Sequence, residues 1–354
     1  MDTSSTPGEI NHGRRRFLGT AALAAGAAQL GMTGSAKAQT GRAKATVLAA
    51  AQARTAASFG PVKQINAGVL NVGYVEAGPA HGRPVILLQG FPYDIHSFVE
   101  VTPLLAAQGY RVIVPYMRGH GTTTFLASST RRDAQQSVMA LDVLALMDAL
   151  KIEKAILVGY DLGSRSADII AALWPRRCKA LVSTTGYLIT NPVGNLEPAK
   201  PSLEWAFWYQ YYFSTGRGVK GLQQYRHDLG RLIWKFNSPT WNFSEATYNT
   251  TAAAFNNPDY VAIIIDNYRW RLDLVPGDLR YAAIEKKLDA APTIAVPTVT
   301  VDGKYDPFTP PGDGAPYRAH FTGKYAHHTL PVGHNVPQED PRGFARAVVE
   351  VDHL

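Results

Sequence analysis

The fold is decided by residues 155–164, AILVGYDLGS. The first four of these residues form a short apolar run that is typical of a strand buried on both faces of a parallel sheet. Gly159 and Gly163 then flank Asp161 in the pattern G-x-D-x-G. Two glycines at this spacing allow a strand to turn sharply into a helix, which lifts the central side chain clear of the sheet. The pattern predicts that Asp161 is a nucleophile at the carboxyl edge of a sheet.

An aspartate at this position selects a different reaction from the serine that more often occupies such a turn. A serine becomes acylated at a carbonyl carbon, whereas a carboxylate attacks a saturated carbon and becomes an alkyl ester that water must then cleave. The alternative is that Asp161 only fills a turn between two glycines. The apolar strand before it and the small-residue helix after it favour the nucleophile.

Ester cleavage requires a base and an acid that orients the base, and both follow in the sequence. His334 lies in residues 331–337, PVGHNVP, and Asp306 lies in residues 301–307, VDGKYDP. The order Asp161, Asp306, His334 is therefore nucleophile, acid and base. Asp302 is the alternative orienting acid, and a surface histidine is the alternative interpretation of His334.

The negative charge that develops when water attacks the ester lies on the carboxyl oxygen of Asp161 itself, so we expect backbone N–H groups to stabilise it. Two N–H groups are candidates for this oxyanion hole. One belongs to Leu162, directly after the nucleophile, and the other to Phe91 in residues 89–92, QGFP. A simple Gly-Pro turn is the alternative interpretation of residues 89–92.

Short apolar strands alternate with helical segments along most of the chain, which predicts an α/β fold with a parallel sheet covered on both faces. We assign residues 61–189 and 289–354 to this core. Residues 190–288 are rich in tryptophan and tyrosine and break the alternation. They are expected to form a helical cap, or lid, over the carboxyl edge of the sheet, where ligands bind in such folds. The strands are predicted at 69–76, 85–88, 111–115, 155–158, 180–183 and 298–301, and a further candidate lies at 329–330.

The amino end has the order of an export signal. Residues 14–18, RRRFL, precede a weakly apolar stretch rich in small residues, and residues 36–38, AKA, form an A-x-A cleavage pattern. This arrangement resembles a twin-arginine (Tat) signal peptide, so residues 1–38 are expected to engage the Tat translocase and to be removed, leaving a periplasmic or secreted protein. The alternative is an anchored or flexible terminus. Residues 39–60 form an alanine-rich lead-in.

The amino-acid composition limits the classes of protein and the kinds of partner that are expected. The chain has 354 residues, of which 46% are hydrophobic and 18% charged, so it is globular rather than disordered. The net charge of +7 comes from scattered residues and no nucleic-acid motif is visible, so no nucleic-acid partner is expected. Cys178 is the single cysteine, which excludes an internal disulfide and a cysteine metal cluster. No metal or organic cofactor is expected.

Together these motifs resemble the α/β-hydrolase superfamily, and specifically its aspartate-nucleophile branch of epoxide hydrolases and haloalkane or haloacid dehalogenases. Residues 89–92 are similar to the His-Gly-x-Pro oxyanion loop, with Gln89 in place of histidine. Residues 117–121, MRGHG, and 303–307, GKYDP, resemble the Arg-Gly-x-Gly loop and the acid turn. The resemblance implies a mostly parallel sheet with helices on both faces and a helical cap.

The lid carries the resemblance to epoxide hydrolases in particular. Residues 209–213, YQYYF, and 267–269, NYR, resemble the two segments that present ring-opening tyrosines, here Tyr209 and Tyr268. A pair of phenols suits an epoxide, because the opening ring becomes an alkoxide that needs hydrogen-bond donors and a proton. The resemblance implies a small, apolar, electrophilic substrate and a vicinal diol as product. A packing role alone is the alternative for both tyrosines.

Departures from the pattern bear on the alternatives. Leu162 stands where epoxide hydrolases and haloalkane dehalogenases commonly have tryptophan and fluoroacetate dehalogenases have arginine, which counts against both dehalogenase functions. Arg165 is either an anion contact or a solvated helix residue. The alternatives to an epoxide hydrolase are a dehalogenase that uses the same Asp161 and a non-catalytic ligand-binding protein of this fold. The oligomeric state stays open.

Overall fold

The computed structural model describes residues 58–309 and 312–354. The predicted signal peptide and the lead-in up to residue 57 lie outside the described residues. The described part contains one sheet of nine strands. The strands are β1 (Lys63–Ala67), β2 (Leu70–Ala77), β3 (Arg83–Leu88), β4 (Tyr110–Pro115), β5 (Thr124–Phe125), β6 (Ala155–Gly159), β7 (Cys178–Thr184), β8 (Thr298–Gly303) and β9 (Tyr325–Leu330).

The strand order is β1-β2-β4-β3-β6-β7-β8-β9, with β5 paired to β2. The pairs from β4 through β9 are parallel, and only the pairs that involve β2 are antiparallel. The predicted mostly parallel α/β sheet is therefore confirmed. The prediction missed β1 and β5, because β1 is a mostly exposed polar strand at the sheet edge and β5 has only two residues.

Helices cover both faces of this sheet, as predicted. The α-helices of the described part are α1 (Val101–Ala107), α2 (Gln136–Ala149), α3 (Leu162–Leu173), α4 (Pro201–Ala206), α5 (Trp208–Ser214), α6 (Gly216–Asn237), α7 (Glu245–Ala252), α8 (Tyr260–Arg271), α9 (Ala282–Asp289), α10 (Ala315–Arg318), α11 (Val336–Glu339) and α12 (Pro341–His353). None of the helices in these ranges has the length and apolarity needed to cross a bilayer.

Alternation along the central strands builds an apolar layer on each face of the sheet. Along β3, Val85 and Leu87 point into one layer and Ile86 and Leu88 into the other, as the two-residue period of a strand requires. Helices α1 and α12 contribute to the first layer and α2 and α3 to the second. Because both faces of β3 and β6 are buried, these strands form a rigid support for the loops at their carboxyl ends.

The segment between β7 and β8 is helical, and we call its helices α4–α9 the lid. Two of them, α5 and α8, bring Tyr209 and Tyr268 against Phe91 at the end of β3. The last lid helix packs differently, because Glu285 of α9 accepts a hydrogen bond from Gln136 of α2 at 3.0 Å. The lid therefore contacts the carboxyl edge through α5 and α8 and the side of the core through α9.

The strand order brings the loops after β3, β6, β8 and β9 to the carboxyl edge of the sheet. Strand β4 lies on one side of β3 and β6 lies on the other, so the direction in which strands are added to the sheet reverses between β3 and β6. Such a reversal opens a crevice at the carboxyl ends of the strands. Phe91 follows β3 and Asp161 follows β6, while Asp306 and His334 follow β8 and β9 at the same edge.

Candidate active site

Asp161 occupies a strained turn between β6 and α3. Its backbone angles are φ 51° and ψ −123°, in a region that residues with a side chain rarely adopt. The flanking glycines make this turn feasible, because a Cβ on Gly163 would lie 2.0 Å from the carbonyl oxygen of Leu88, and one on Gly159 would lie 2.4 Å from the carbonyl carbon of Gly163. Strain of this kind is found where a side chain must be presented for function.

The loop after β3 approaches the carboxylate closely. The N–H of Phe91 donates a hydrogen bond of 2.8 Å to Oδ1 of Asp161. Gly90 allows this approach, because a Cβ there would lie 2.3 Å from the Cβ of Asp161. Leu162, the second predicted oxyanion donor, is the buried first residue of α3. Within the described residues, the backbone hydrogen bond to the Asp161 carboxylate comes from Phe91.

His334 lies between two carboxylates. Its Nδ1 donates to Oδ2 of Asp306 at 2.7 Å, and its Nε2 lies 3.6 Å from Oδ2 of Asp161. The other oxygen of Asp306 accepts a hydrogen bond of 2.8 Å from the N–H of Phe308, which fixes the acid in its turn. The structure thus brings the three predicted residues together, with His334 between Asp161 and Asp306.

Asp302 does not contact His334. Its Oδ2 accepts a hydrogen bond of 2.6 Å from the hydroxyl of Tyr317. Asp302 is the fifth residue of β8 and is buried within the sheet, whereas Asp306 lies past the strand end, in the turn that faces His334. Of the two aspartates, Asp306 is therefore the one that binds His334.

The electrostatics of the site favour an ion pair in the resting protein. Burial acts to raise the pKa of Asp161, but contacts with His334, the N–H of Phe91 and the charge of Arg165 outweigh it, and the pKa falls below its usual value. Burial acts to lower the pKa of His334, but the charge of Asp306, the close approach and charge of Asp161 and the hydrogen bond to Asp306 raise it to about 10. At neutral pH an ionised Asp161 therefore faces a protonated His334.

Tyr209 and Tyr268 lie together against Phe91, near enough to Asp161 for its charge to act on both. Both are buried, their rings are nearly perpendicular with centroids 5.6 Å apart, and each contacts the ring of Phe91. Burial raises the pKa of both phenols, and the negative charge of Asp161 contributes to both increases. Both hydroxyls therefore remain protonated at neutral pH and can donate hydrogen bonds.

Arg165, the possible anion contact, and Gln89, which replaces the histidine of the family pattern, are also buried near the site. Arg165 is 5% exposed and its Nε donates to the carbonyl oxygen of Leu188 at 2.9 Å, so it is not a solvated helix residue. Burial and the nearby charge of Arg271 lower the pKa of Arg165 to about 10. Gln89 is 1% exposed, and within the described residues its side-chain amide has no hydrogen-bond partner.

The sequence prediction did not include the aromatic wall around His334. The ring of Phe308 meets the imidazole edge-on with centroids 5.0 Å apart, and Phe207 stacks on Phe308 at 5.2 Å. Tyr93 and Tyr160 contact the imidazole from other directions. Three of these rings lie in or next to the motifs of the catalytic loops, because Phe308 follows the acid turn, Tyr93 follows the oxyanion loop and Tyr160 directly precedes Asp161. Phe207 lies two residues before the lid motif at 209–213, and no sequence motif pointed to it.

The described residues contain no group of three or more histidine, cysteine, aspartate or glutamate side chains placed to bind a metal ion. The polar groups that converge on Asp161 are a histidine, two phenols and a backbone N–H. Such a set can supply a nucleophile, a base and proton donors from side chains alone.

Comparisons with known proteins found relatives in sequence and in structure. A crystal structure of a provisionally named epoxide hydrolase from Klebsiella pneumoniae is 54% identical, with a TM-score of 0.82, and the match covers 85% of this chain and 100% of that one. Epoxide hydrolase B of Mycobacterium tuberculosis is 34% identical over 152 residues, which are 39% of this chain and 42% of that protein. Epoxide hydrolase 3 of Siraitia grosvenorii is 36% identical over 135 residues, which are 38% of this chain and 39% of that protein.

The chain thus spans about two fifths of the length of these curated relatives. The pattern of the alpha/beta hydrolase fold family matches residues 83–341, which is more than half of the chain and runs from β3 to the start of α12. This match includes the nucleophile turn, the lid, the acid turn and the histidine loop. The chain therefore belongs to the alpha/beta hydrolase fold family.

Proposed function

We propose that this protein is an epoxide hydrolase that converts a small apolar epoxide into a vicinal diol through an ester on Asp161. The observation that carries the proposal is the placement of two buried phenols, Tyr209 and Tyr268, against the ring of Phe91, whose N–H binds the carboxylate that is paired with His334. The carboxylate can attack an epoxide carbon, and the phenols can donate hydrogen bonds to the oxygen that departs from it. The names of the relatives support the same reaction.

The first step forms the ester. A carboxylate oxygen of Asp161 attacks one epoxide carbon, the carbon–oxygen bond breaks, and its electron pair stays on the epoxide oxygen. Tyr209 and Tyr268 donate hydrogen bonds to that oxygen, and one of them transfers its proton. The proton carried by His334 in the resting protein then returns the phenolate to a phenol through water. Charge is conserved, and His334 becomes neutral.

The second step releases the diol. Esterification removes the negative charge of Asp161, which is one of the causes that raise the pKa of His334, so this pKa falls in the ester. Neutral His334 removes a proton from water, and the hydroxide attacks the carboxyl carbon of Asp161. The N–H of Phe91 stabilises the resulting oxyanion. The bond between the carboxyl carbon and the diol oxygen then breaks, and His334 protonates the departing oxygen. The second proton of the water passes from the new carboxyl group of Asp161 to His334, which restores the carboxylate and the protonated histidine.

Dehalogenation by the same nucleophile is the alternative. A leaving halide needs donors but no proton, and the side chain of Leu162 supplies no donor beside Asp161. The full chain, incubated with a panel of terminal epoxides and haloalkanes of matched carbon number, separates the two. We expect diol formation from the epoxides, followed by mass spectrometry, and no halide release above a control without protein. Halide release without diol formation would contradict the proposal.

Phenylalanine substitutions test the phenols. Tyr209→Phe and Tyr268→Phe each remove one hydroxyl and keep the ring, so we expect the rate of ester formation to fall by roughly 10²-fold, as for the loss of one oxyanion donor. Ester hydrolysis is expected to change little, because the epoxide oxygen is already protonated. Stopped-flow measurement of tryptophan fluorescence with excess protein gives the two rates separately.

Tyr225→Phe is the matched control for these variants, because Tyr225 lies on lid helix α6 and its ring is 51% exposed. Its rates are expected to equal those of the native chain. Unchanged ester formation in both Tyr209→Phe and Tyr268→Phe would show that the two rings only pack.

A further inference from the structure

The loop that carries His334 is fixed at three consecutive backbone N–H groups. The N–H of Gly333 donates to Oε2 of Glu339 at 2.9 Å, and the N–H of Asn335 donates to Oε1 of the same carboxylate at 3.2 Å. Between them, the N–H of His334 donates to the carbonyl oxygen of Asn237 at 3.0 Å. A single side chain therefore binds the backbone on both sides of the base.

The same carboxylate also binds the lid. The hydroxyl of Ser238, at the carboxyl end of lid helix α6, donates to Oε1 of Glu339 at 2.6 Å. The two backbones are in close contact here, because a Cβ on Gly333 would lie 2.6 Å from the Cα of Ser238 and 2.8 Å from the carbonyl oxygen of Asn237. Glu339 thus joins the histidine loop to the end of α6.

The last turns of α6 also contact the oxyanion loop. The indole Nε1 of Trp234 donates to the carbonyl oxygen of Pro92 at 2.7 Å, and the side-chain amide of Asn237 donates to the hydroxyl of Tyr93 at 3.3 Å. Trp234 and Asn237 are fully buried. The carboxyl end of α6 therefore contacts both the oxyanion loop and the loop that carries His334.

The two catalytic loops differ in how much they depend on this contact. Asp161 is positioned by β6 and α3, and Phe91 directly follows β3, so the nucleophile has support from the sheet. His334 lies in an irregular loop between β9 and α11, and the bonds to Glu339 and Asn237 fix its backbone. General-base catalysis requires the base within hydrogen-bond distance of its water, and a displacement of about 1 Å can slow a step by roughly 10²-fold.

We propose that Glu339 is a positioning residue for ester hydrolysis, which places His334 relative to the ester and couples that placement to lid helix α6. The proposal rests on the proposed function for its kinetic part. The hydrogen bonds of Glu339 join it to the N–H groups on both sides of His334 and to Ser238, and none of them joins it to Asp161 or to the imidazole, so it acts through the backbone of residues 333–335. It therefore affects the step that uses His334 as a base and leaves the attack of Asp161 on the epoxide unaffected.

Glu339→Gln tests this inference, because glutamine keeps the length of the side chain but presents an amide NH₂ where one of its oxygens accepts an N–H. We expect the rate of ester hydrolysis to fall by roughly 10- to 100-fold, as for other residues that orient a catalytic group. The rate of ester formation is expected to stay within about threefold of the native value on the same physical ground. Hydrogen exchange at the amides of residues 333–335 should become faster.

Two matched controls accompany this variant. Ser238→Ala removes the bond from the lid but keeps both bonds beside His334, so its hydrolysis rate is expected to fall much less than that of Glu339→Gln. Glu350→Gln removes a carboxylate of α12 that binds His328, and its rates are expected to equal those of the native chain. If Glu339→Gln does not fold, Glu339→Asp serves in its place, because it keeps the charge and shortens the reach.

Native hydrolysis rates in Glu339→Gln would overturn the inference, as would an equal loss in both steps, which is the result of general destabilisation. Failure of the proposed function gives a different result, because the native chain would then form neither ester nor diol. In that case the exchange rates of the amides of residues 333–335 still test the positioning role. Unchanged exchange in the variant would overturn it.

Discussion

Replacing Asp161 with asparagine is expected to lower kcat/KM for an epoxide by roughly 10⁴-fold or more, the size of effect seen when a covalent nucleophile is removed. Asparagine has nearly the same shape and keeps an oxygen that can accept the hydrogen bond from Phe91. It has no anionic oxygen to attack carbon, so no ester forms. Diol formation measured with excess substrate, and the mass of the protein after incubation, check this result.

Two controls make the Asp161→Asn result specific. The thermal unfolding temperature should remain close to that of the native chain, because the exchange is nearly isosteric. Asp148→Asn alters a carboxylate of α2 that is 68% exposed and pairs with Arg177, and its activity is expected to be unchanged. Substantial diol formation by Asp161→Asn, without conversion of the asparagine back to aspartate, would exclude Asp161 as the nucleophile.

His334→Gln is expected to separate the two steps. Glutamine cannot remove a proton from water, so ester hydrolysis should slow by roughly 10²- to 10⁴-fold, the usual contribution of a general base. Ester formation should persist, because the carboxylate of Asp161 and the phenols remain. The protein should then accumulate one equivalent of adduct, and peptide mass spectrometry should place the added mass of the epoxide on the peptide that contains Asp161.

The rate of ester hydrolysis in the native chain is expected to rise with pH. In the ester, His334 must be neutral to act as a base, so the hydrolysis rate of the native chain rises with pH through the pKa of His334 in that state. This pKa lies below the value of about 10 in the resting protein, because the charge of Asp161 has been removed. In His334→Gln the rise should be absent. If His334→Gln forms no adduct, or forms one on a residue other than Asp161, the roles proposed for Asp161 and His334 would be contradicted.

Local sequence patterns were sufficient for the central sheet and for the turn that carries Asp161. Residues 155–164 specify strand, turn and helix through neighbours in the sequence, and their glycines have the close contacts that the pattern implies. The edge strand β1 was missed because it has only five residues, three of which are exposed and polar, so its apolar alternation is too short to detect. The antiparallel hydrogen bonds with β2 hold residues 63–67 as a strand, although their own sequence does not indicate one.

The choice between Asp302 and Asp306 could not be made from spacing alone. Both residues lie in the six residues 301–306, and the difference between them is where β8 ends. The structure ends the strand at Gly303, which leaves Asp302 in the sheet beside Tyr317 and places Asp306 beside His334.

The contacts of Glu339 were beyond the reach of sequence patterns for a different reason. Ser238 and Glu339 are 101 residues apart, and Pro92 and Trp234 are 142 residues apart. No local period relates residues at such separations, and only the packing of the lid on the sheet brings them together.

The origin of the oxygen in the diol distinguishes an ester on Asp161 from direct attack by water. In a single turnover with excess protein in water labelled with ¹⁸O, we expect the first diol to contain unlabelled oxygen, which comes from the carboxylate of Asp161. The label should appear in the peptide that contains Asp161. A first-turnover diol that carries ¹⁸O, with an unlabelled Asp161 peptide, would show that water attacks the epoxide directly and that no ester forms.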